Sequence, residues 1–172
     1  MVLTADLRDV FFQRDLFSVY SYNEPFLGIA IEDGILSEEC NKNWILNAYG
    51  EEIYQSIQHE RIICVGTVWG TTKEFMNYSK IMSDILNSEW SESRHVIEQA
   101  VGNYLIYHDK MFADVIRQST NYDGYVVTIA LTSSKDIKMD SSRNILNGKG
   151  EVAAVVHQYD RKPKLGKAVI RK

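Results

Sequence analysis

Short apolar runs alternate with amphipathic stretches along the whole chain. Runs rich in β-branched residues predict strands at residues 2–5, 26–31, 61–69, 125–131 and 151–157. Between these runs, apolar residues recur at every third or fourth position, which predicts helices. Because strands and helices interleave, the pattern predicts a protein of the α/β class.

Polar residues and glycines mark the predicted ends of these elements. The Glu-Asp-Gly sequence at residues 32–34 predicts a turn after the second strand. Ser37 is the predicted N-cap of a helix that ends at Gly50, and a shorter helix follows it. Thr71 and Ser93 are predicted to cap two further helices.

Composition restricts the function more than it restricts the fold. A chain of 172 residues without a linker or repeat is enough for one domain with a core, so we expect a single domain over residues 1–172. The formal net charge of -4 supplies no positive field to hold nucleic acid. A basic tail at residues 161–172 is the one clustered positive region. It fits either a solvated terminus or a clamp for a diphosphate or an anionic membrane surface.

The cysteines and the hydropathy pattern bear on the compartment. Cys40 and Cys64 are not spaced as a CxxC pair and lie among apolar residues, which predicts two buried, reduced thiols. The first residues lack a signal-peptide pattern, and no apolar run reaches the length of a membrane span. We therefore expect a cytoplasmic protein, and if the basic tail is a clamp for an anionic surface, its contact with a membrane would be peripheral.

Two carboxylates stand directly after the first predicted strand. Asp6 ends that apolar run, and Asp9 follows three residues later. Ligand sites in open α/β sheets lie beyond the carboxyl ends of strands, and Mg²⁺ and Mn²⁺ bind carboxylates together with substrate phosphates. The pair is therefore a candidate metal site. The alternative is structural: Asp6 caps a turn, and Asp9 pairs with Arg8 or Arg14.

Other positions are also candidates for chemistry, each with a structural alternative. His157 ends an apolar strand and is followed by four polar residues, so it is either a satisfied core histidine or a third metal ligand. Glu98 and Gln99 stand in the first turn of a helix, where they either complement the helix dipole or face a substrate. Gly66 either leaves room for a ligand near the backbone or relieves crowding in the sheet.

Four segments, in this order along the chain, resemble motifs of nucleotide-sugar glycosyltransferases of the GT-A type. They are DLRDVFFQRDLF at residues 6–17, CVGTVWG at 64–70, VIEQAVGNYLIY at 96–107 and VHQYDR at 156–161. Together they extend over nearly the whole chain, and the first and last are the most specific. The resemblance implies a GT-A-like fold, in which helices flank a mixed sheet.

The resemblance also implies roles for individual residues. Asp6, Asp9 and His157 would bind the Mn²⁺ or Mg²⁺ that bridges the donor diphosphate, as in the DxxD form of the motif with a late histidine. Glu98 and Gln99 correspond to the catalytic carboxylate motif. The residues assigned to the donor, a UDP-sugar, are Arg8, Gly66, Thr67, Arg161 and Lys164. The implied reaction is metal-dependent transfer of a sugar to a glycan or lipid-linked acceptor, as polysaccharide biosynthesis requires.

The sequence departs from the family pattern at positions that bear on activity. Val65 stands where the motif has serine, and Glu98 stands where it has aspartate; a carboxylate displaced by about 1 Å can cost about 100-fold in rate. Only five residues precede Asp6, so a GT-A fold over this sequence would lack its N-terminal nucleotide-binding half and expose a sheet edge open to self-association. Two alternative functions stay open: a non-catalytic remnant or interaction module, and a metal-dependent phosphoesterase.

Overall fold

The computed structural model of the protein describes residues 1–20, 24–89, 97–163 and 165. In this part of the chain it contains three α-helices, α1 (Glu39–Ile57), α2 (Thr72–Glu89) and α3 (Glu98–Tyr107). The strands are β1 (Val2–Ala5), β2 (Val10–Phe12), β3 (Leu27–Ile35), β4 (Arg61–Gly70), β5 (Ile116–Thr120), β6 (Val126–Thr128), β7 (Lys138–Met139), β8 (Ile145–Leu146) and β9 (Val155–His157). The protein is therefore α/β, as the interleaved pattern predicts.

Four strands form the first sheet, in the order β1-β4-β3-β5. β4 is antiparallel to both β1 and β3, whereas β5 is parallel to β3, so the sheet is mixed. β1 pairs only with the second half of β4, from Thr67 to Gly70. Among the described residues, the first half of β4 therefore has no strand on that side.

Three strands form a second, smaller sheet, in the order β2-β9-β6. β9 is antiparallel to β2 and parallel to β6, and β7 and β8 form a separate antiparallel pair. The hydroxyl of Ser119 on β5 donates to the carbonyl of Val126 on β6 at 2.9 Å and accepts from its N–H at 3.1 Å. This side chain joins the two sheets.

The hydrophobic core has one layer on each face of the first sheet. On one face, α2 and α3 pack against the buried side chains of Leu27 and Val68. On the other face, Cys64 and Trp69 pack against the second sheet, including Val155. Burial of these apolar surfaces is the main favourable term in folding, and it fixes the second sheet against the first.

The predicted strands agree with the structure in position, and they differ from it in extent. The predicted turn at residues 32–34 is wrong, because β3 continues to Ile35 and pairs there with Arg61 after a register shift. The last two predicted strands are shorter than expected and correspond to β6 and β9. The other residues of the two predicted strands, 125, 129–131 and 151–154, belong to no strand, although Val152 forms an isolated bridge with Leu146.

The predicted helix ends agree with the structure in part. α1 is capped by Glu38 rather than by Ser37, because the Glu38 carboxylate accepts hydrogen bonds from two backbone N–H groups of the first turn. Gly50 has φ of 78° and ψ of -177°, so the helical conformation stops there and a shorter helical stretch follows within α1, as the sequence predicts. Ser93, the predicted cap of the third helix, lies outside the described residues.

Two predictions about the compartment can be compared with the structure. Cys64 is buried as predicted, but Cys40, in the first turn of α1, is exposed. No helix in the described part of the chain combines the length and the apolar character needed to cross a bilayer.

Candidate metal centre

Asp6, Asp9 and His157 converge where the two sheets meet. One ligand atom from each residue lies within 4.8 Å of the others. The Nε2 atom of His157 lies 3.1 Å from a carboxylate oxygen of Asp6 and 3.6 Å from one of Asp9. The fold thus brings together the three residues that the motif resemblance assigns to a metal, although Asp6 and His157 are 151 positions apart.

Backbone hydrogen bonds hold these three residues in position. Just after β1, the N–H of Asp6 donates to the carbonyl of Gly66 at 2.9 Å. The chain then enters β2, which pairs with β9 and its last residue, His157. The N–H of Gln158 donates to the carbonyl of Asp9 at 2.7 Å and closes the arrangement. The cluster is therefore built on both sheets rather than on a free loop.

Gly66 provides the space in which the cluster forms. A Cβ atom at this position would lie 2.5 Å from a carboxylate oxygen of Asp6 and 2.5 Å from Cε1 of His157. Neither contact is sterically possible, so a side chain here would displace the carboxylate or the imidazole. The glycine thus relieves crowding by the two side chains that pack against this strand, and its use as a space for a ligand stays a prediction.

The donor set and its spacing suit a hard divalent cation. Carboxylate oxygens and an imidazole nitrogen are suitable ligands for Mn²⁺, and octahedral ligands about 2.1 Å from an ion lie about 3–4 Å apart. The separations of 3.1 and 3.6 Å at Nε2 of His157 fall in that range. The Asp6 side chain is 57% exposed and that of His157 only 1%, so the cluster opens to solvent on one side and is anchored in the core on the other.

The second ring nitrogen of His157 is held by core side chains. Its Nδ1 lies 3.2 Å from Sγ of Cys64 and 3.3 Å from Oγ1 of Thr128. Burial raises the pKa of the Cys64 thiol well above its ordinary value, so the thiol stays neutral. When Nδ1 carries the proton, the lone pair of Nε2 points to the carboxylates, which is the state that a metal ligand needs.

Gln158 adopts a left-handed backbone conformation beside the cluster, with φ of 58° and ψ of 32°. For a residue other than glycine this conformation costs about 1–2 kcal/mol. It directs the N–H of Gln158 to the Asp9 carbonyl, and the Gln158 amide oxygen accepts a hydrogen bond from the Thr128 hydroxyl at 3.0 Å. Such strain is characteristic of functional sites, where it fixes neighbouring groups.

Two cavities meet at the cluster. The first cavity, of about 420 Å³, extends from the cluster towards the first turns of α1 and α3. The second cavity, of about 490 Å³, is lined by the β1–β2 loop and by the turn after β9. Asp6, Asp9 and Arg161 line both cavities. Each is large enough for a small-molecule ligand, and the cluster lies between them.

The first cavity is strongly acidic. Its carboxylates belong to Asp6, Asp9, Glu32, Glu38 and Glu98. Among the described residues that line it, Arg161 is the one arginine or lysine. A cavity with this negative charge attracts cations and can accept neutral polar ligands. It repels an anion unless a bound cation offsets the charge of the carboxylates.

Glu32 is a carboxylate of the first cavity that the sequence pattern assigned to a turn. The residue is only 6% exposed, and the Cys64 side chain hydrogen-bonds to it. Burial raises the pKa of Glu32 to about 7; the charges of Glu38 and Asp33 add to the rise, while the Cys64 hydrogen bond opposes it. The available signal in the sequence is an acidic residue that directly follows the buried apolar run 27–31.

Glu98 and Gln99, the two residues predicted to be catalytic, occupy different environments. Glu98 is exposed at the start of α3 and lines the first cavity. Gln99 also lines it, but its amide is engaged by β4: it donates to the carbonyl of Ile63 at 2.8 Å and accepts from the N–H of Val65 at 3.2 Å. Gln99 thus hydrogen-bonds the part of β4 that β1 does not reach.

The residues assigned to the donor are only partly gathered at the two cavities. Gly66 and Arg161 line the first cavity, and Arg8 lines the second. Thr67 is fully buried outside both linings, because successive residues of a strand face opposite sides. Its hydroxyl has no hydrogen-bond partner among the described residues. Lys164 lies outside the described residues.

Comparison of the chain with known proteins found no match to a protein-family model, a curated protein or a solved structure.

Proposed function

We propose that the protein is a metal-dependent glycosyltransferase with a GT-A-like fold. It transfers a sugar from a nucleotide-sugar donor, a UDP-sugar in the simplest case, to a glycan or lipid-linked acceptor. The observation that carries the proposal is the convergence of Asp6, Asp9 and His157 at the junction of two cavities. These are the residues that the DxxD motif and the late histidine of the family would supply.

The charge of the first cavity supports a metal-bridged donor. A nucleoside diphosphate is an anion, and it would be repelled by the carboxylates that line the cavity. A bound Mn²⁺ or Mg²⁺ removes that repulsion, because such ions bind through one or two carboxylates and keep positions for substrate phosphates. The acidic lining is therefore consistent with a diphosphate ligand only when a cation is present.

The residues of the site have distinct tasks in this reaction. Asp6, Asp9 and His157 hold the cation, which supplies Lewis-acid stabilisation of the departing nucleoside diphosphate. Arg161 lines both cavities and binds phosphate oxygens through its guanidinium group. Thr128 orients the imidazole of His157 through Nδ1, and so keeps Nε2 directed at the cation.

Asp9→Asn is expected to abolish Mn²⁺-dependent binding of UDP. The substitution keeps the size of the side chain and removes the charge that binds the cation, so UDP affinity should fall at least about 100-fold. Calorimetric titration of the purified chain with UDP and UDP-sugars, in Mn²⁺ and in EDTA, measures this loss.

Asp114→Asn is the matched control, since Asp114 is an exposed aspartate between α3 and β5. It removes the same charge and should leave UDP binding as in the wild type. Equal UDP binding by the Asp9→Asn protein and the control would contradict the metal assignment.

Gly66→Ala is expected to weaken Mn²⁺ binding without a comparable loss of folding. The added methyl group must displace the Asp6 carboxylate or the His157 ring, both 2.5 Å from its position. Gly34→Ala is the control, because a Cβ atom there meets only side-chain ends of Leu131 and Ile62. Mn²⁺ titration followed by calorimetry separates the two variants, and equal Mn²⁺ affinity would show that Gly66 does not shape the site.

A second candidate function is a non-catalytic module that binds the nucleotide and does not turn it over. Two observations favour it: Gln99 is engaged by the β4 backbone, and Thr67 is buried away from both cavities. Mn²⁺-dependent UDP binding without UDP release from any UDP-sugar would support this function over transfer.

A further inference from the structure

The first cavity contains a buried carboxylate that the metal centre does not use. Glu32 lies in β3, and its carbonyl accepts a hydrogen bond from Nη2 of Arg61 at 2.7 Å, which fixes the backbone. Among the described residues no lysine, arginine or histidine pairs with its carboxylate. Burial of a carboxylate without a cation is unfavourable, which makes a buried carboxylate on the wall of a cavity a candidate functional group.

The Cys64 thiol connects this carboxylate to the metal centre. Cys64 hydrogen-bonds to Glu32, and its Sγ lies 3.2 Å from Nδ1 of His157. Glu32 is therefore separated from a candidate metal ligand by one side chain, and both line the first cavity. A ligand in this cavity can therefore contact both the Glu32 carboxylate and the cluster of Asp6, Asp9 and His157.

The other walls of the first cavity indicate the chemical class of that substrate. Trp44 and Asn41 line it, which provides an aromatic surface and an amide. The carboxylates repel phosphorylated or carboxylated molecules, whereas they accept hydrogen bonds from hydroxyl groups. The lining thus suits a neutral polyhydroxy compound such as an uncharged glycoside.

We propose that Glu32 binds the acceptor hydroxyl of a neutral glycoside in the first cavity and takes its proton during sugar transfer. The acceptor oxygen forms a bond to the anomeric carbon while the bond from that carbon to the diphosphate oxygen breaks. The electron pair leaves with the nucleoside diphosphate, and the proton passes to the Glu32 carboxylate. This single displacement inverts the anomeric centre.

The surroundings of Glu32 are consistent with that step. The groups that act on its pKa are the Cys64 thiol from β4, the Glu38 carboxylate before α1 and the Asp33 carboxylate on its own strand. Burial with these neighbours raises the pKa of Glu32 to about 7, close to the value at which a general base works best near neutral pH. The inference rests on the proposed transferase function, because it needs a metal-held donor.

The test is UDP release from a panel of UDP-sugars with Mn²⁺ and methyl glycosides as acceptors. Glu32→Gln should lower kcat at least about 100-fold and leave both KM for the UDP-sugar and the Kd for UDP with Mn²⁺ unchanged. Glu32→Asp, which keeps a carboxylate, should retain part of the activity. Glu52→Gln is the control, since it makes the same change at an exposed glutamate within α1.

The outcomes separate the two proposals. Wild-type turnover by the Glu32→Gln protein would overturn the role of Glu32 and leave the transferase function standing. Mn²⁺-dependent UDP binding by the wild type without UDP release from any UDP-sugar would overturn the proton transfer and retain the nucleotide site. Absence of Mn²⁺-dependent UDP binding by the wild type would overturn the proposed function, and the role of Glu32 with it.

Discussion

Glu32→Gln is expected to raise the free energy of unfolding by about 3 kcal/mol at pH 8 and to change it little at pH 4.5. In the folded protein, burial raises the pKa of this carboxyl from its ordinary value of 4.5 to about 7. Each unit of difference corresponds to about 1.4 kcal/mol between the two protonation states. Glutamine has nearly the same shape and never ionises, so it removes the cost of a buried charge.

The direction of the pH dependence follows from proton linkage. Between pH 4.5 and 7 the folded wild type holds the Glu32 proton and the unfolded chain has lost it, so this group lowers the stability of the fold as pH rises. Above pH 7 both states are ionised and the full penalty is constant. The stability difference between variant and wild type should therefore increase from pH 4.5 to 7 and then level off.

Urea unfolding of both proteins in EDTA, at intervals from pH 4.5 to 8.5, measures this difference without interference from a bound metal. Stability profiles that stay parallel over the whole pH range would show that Glu32 ionises in the folded protein as it does in the unfolded chain. Such a result would mean that the Glu32 carboxylate is not buried enough to raise its pKa.

The candidate metal centre could be predicted from the sequence only through the motif resemblance. Spacing alone left Asp6 and Asp9 open to a structural interpretation, and nothing local connects them to His157. Their convergence depends on the β1–β4 and β2–β9 pairings, which are contacts between distant parts of the chain. The sequence shows Gly66 only as a glycine within a strand. That it makes room for the Asp6 carboxylate and the His157 ring is evident only from the folded structure.

Glu32 could not be identified because its neighbours favour a different local structure. Glu-Asp-Gly at residues 32–34 has the composition of a turn, and the sequence pattern ends the strand at Ile31. In the structure, the pairing of Ile35 with Arg61 extends β3 through these polar residues after a register shift. Tertiary pairing therefore outweighs local propensity at the position where the cavity acquires its buried carboxylate.

The sequence pattern does not predict β5, for a related reason. Its sequence, Ile116–Thr120, has no apolar alternation, because it is an edge strand of the first sheet and most of its residues are not buried. The helices were found more readily, since their apolar faces cover the sheet and leave a regular pattern. The hydrogen bonds from Gln99 and Asn103 on α3 to β4 could not be predicted from the sequence, because they depend on where β1 ends beside β4.

Asn103→Ala is expected to destabilise the protein by about 3 kcal/mol. Asn103 is completely buried on α3, and its amide oxygen accepts from the N–H of Ile63 at 2.9 Å, while its amide nitrogen donates to the Ile63 carbonyl at 3.0 Å. Together with Gln99, it hydrogen-bonds the part of β4 that β1 does not reach. Alanine leaves a buried N–H without a partner and creates a small cavity, and the two costs add.

The same substitution at Asn47 isolates this effect, because Asn47 is an exposed residue within α1. Both changes bring the same gain in helix propensity, so Asn47→Ala should leave stability unchanged or slightly raised. Chemical unfolding of the two variants and the wild type at one pH provides the comparison. If Asn103→Ala were as stable as Asn47→Ala, the backbone of β4 would not depend on α3, and the position of Glu98 and Gln99 at the first cavity would need another cause. If the expected loss is found, α3 takes the place of a strand beside the first half of β4. The residues of its first turn are then held at the first cavity by the hydrogen bonds that Gln99 and Asn103 make to β4.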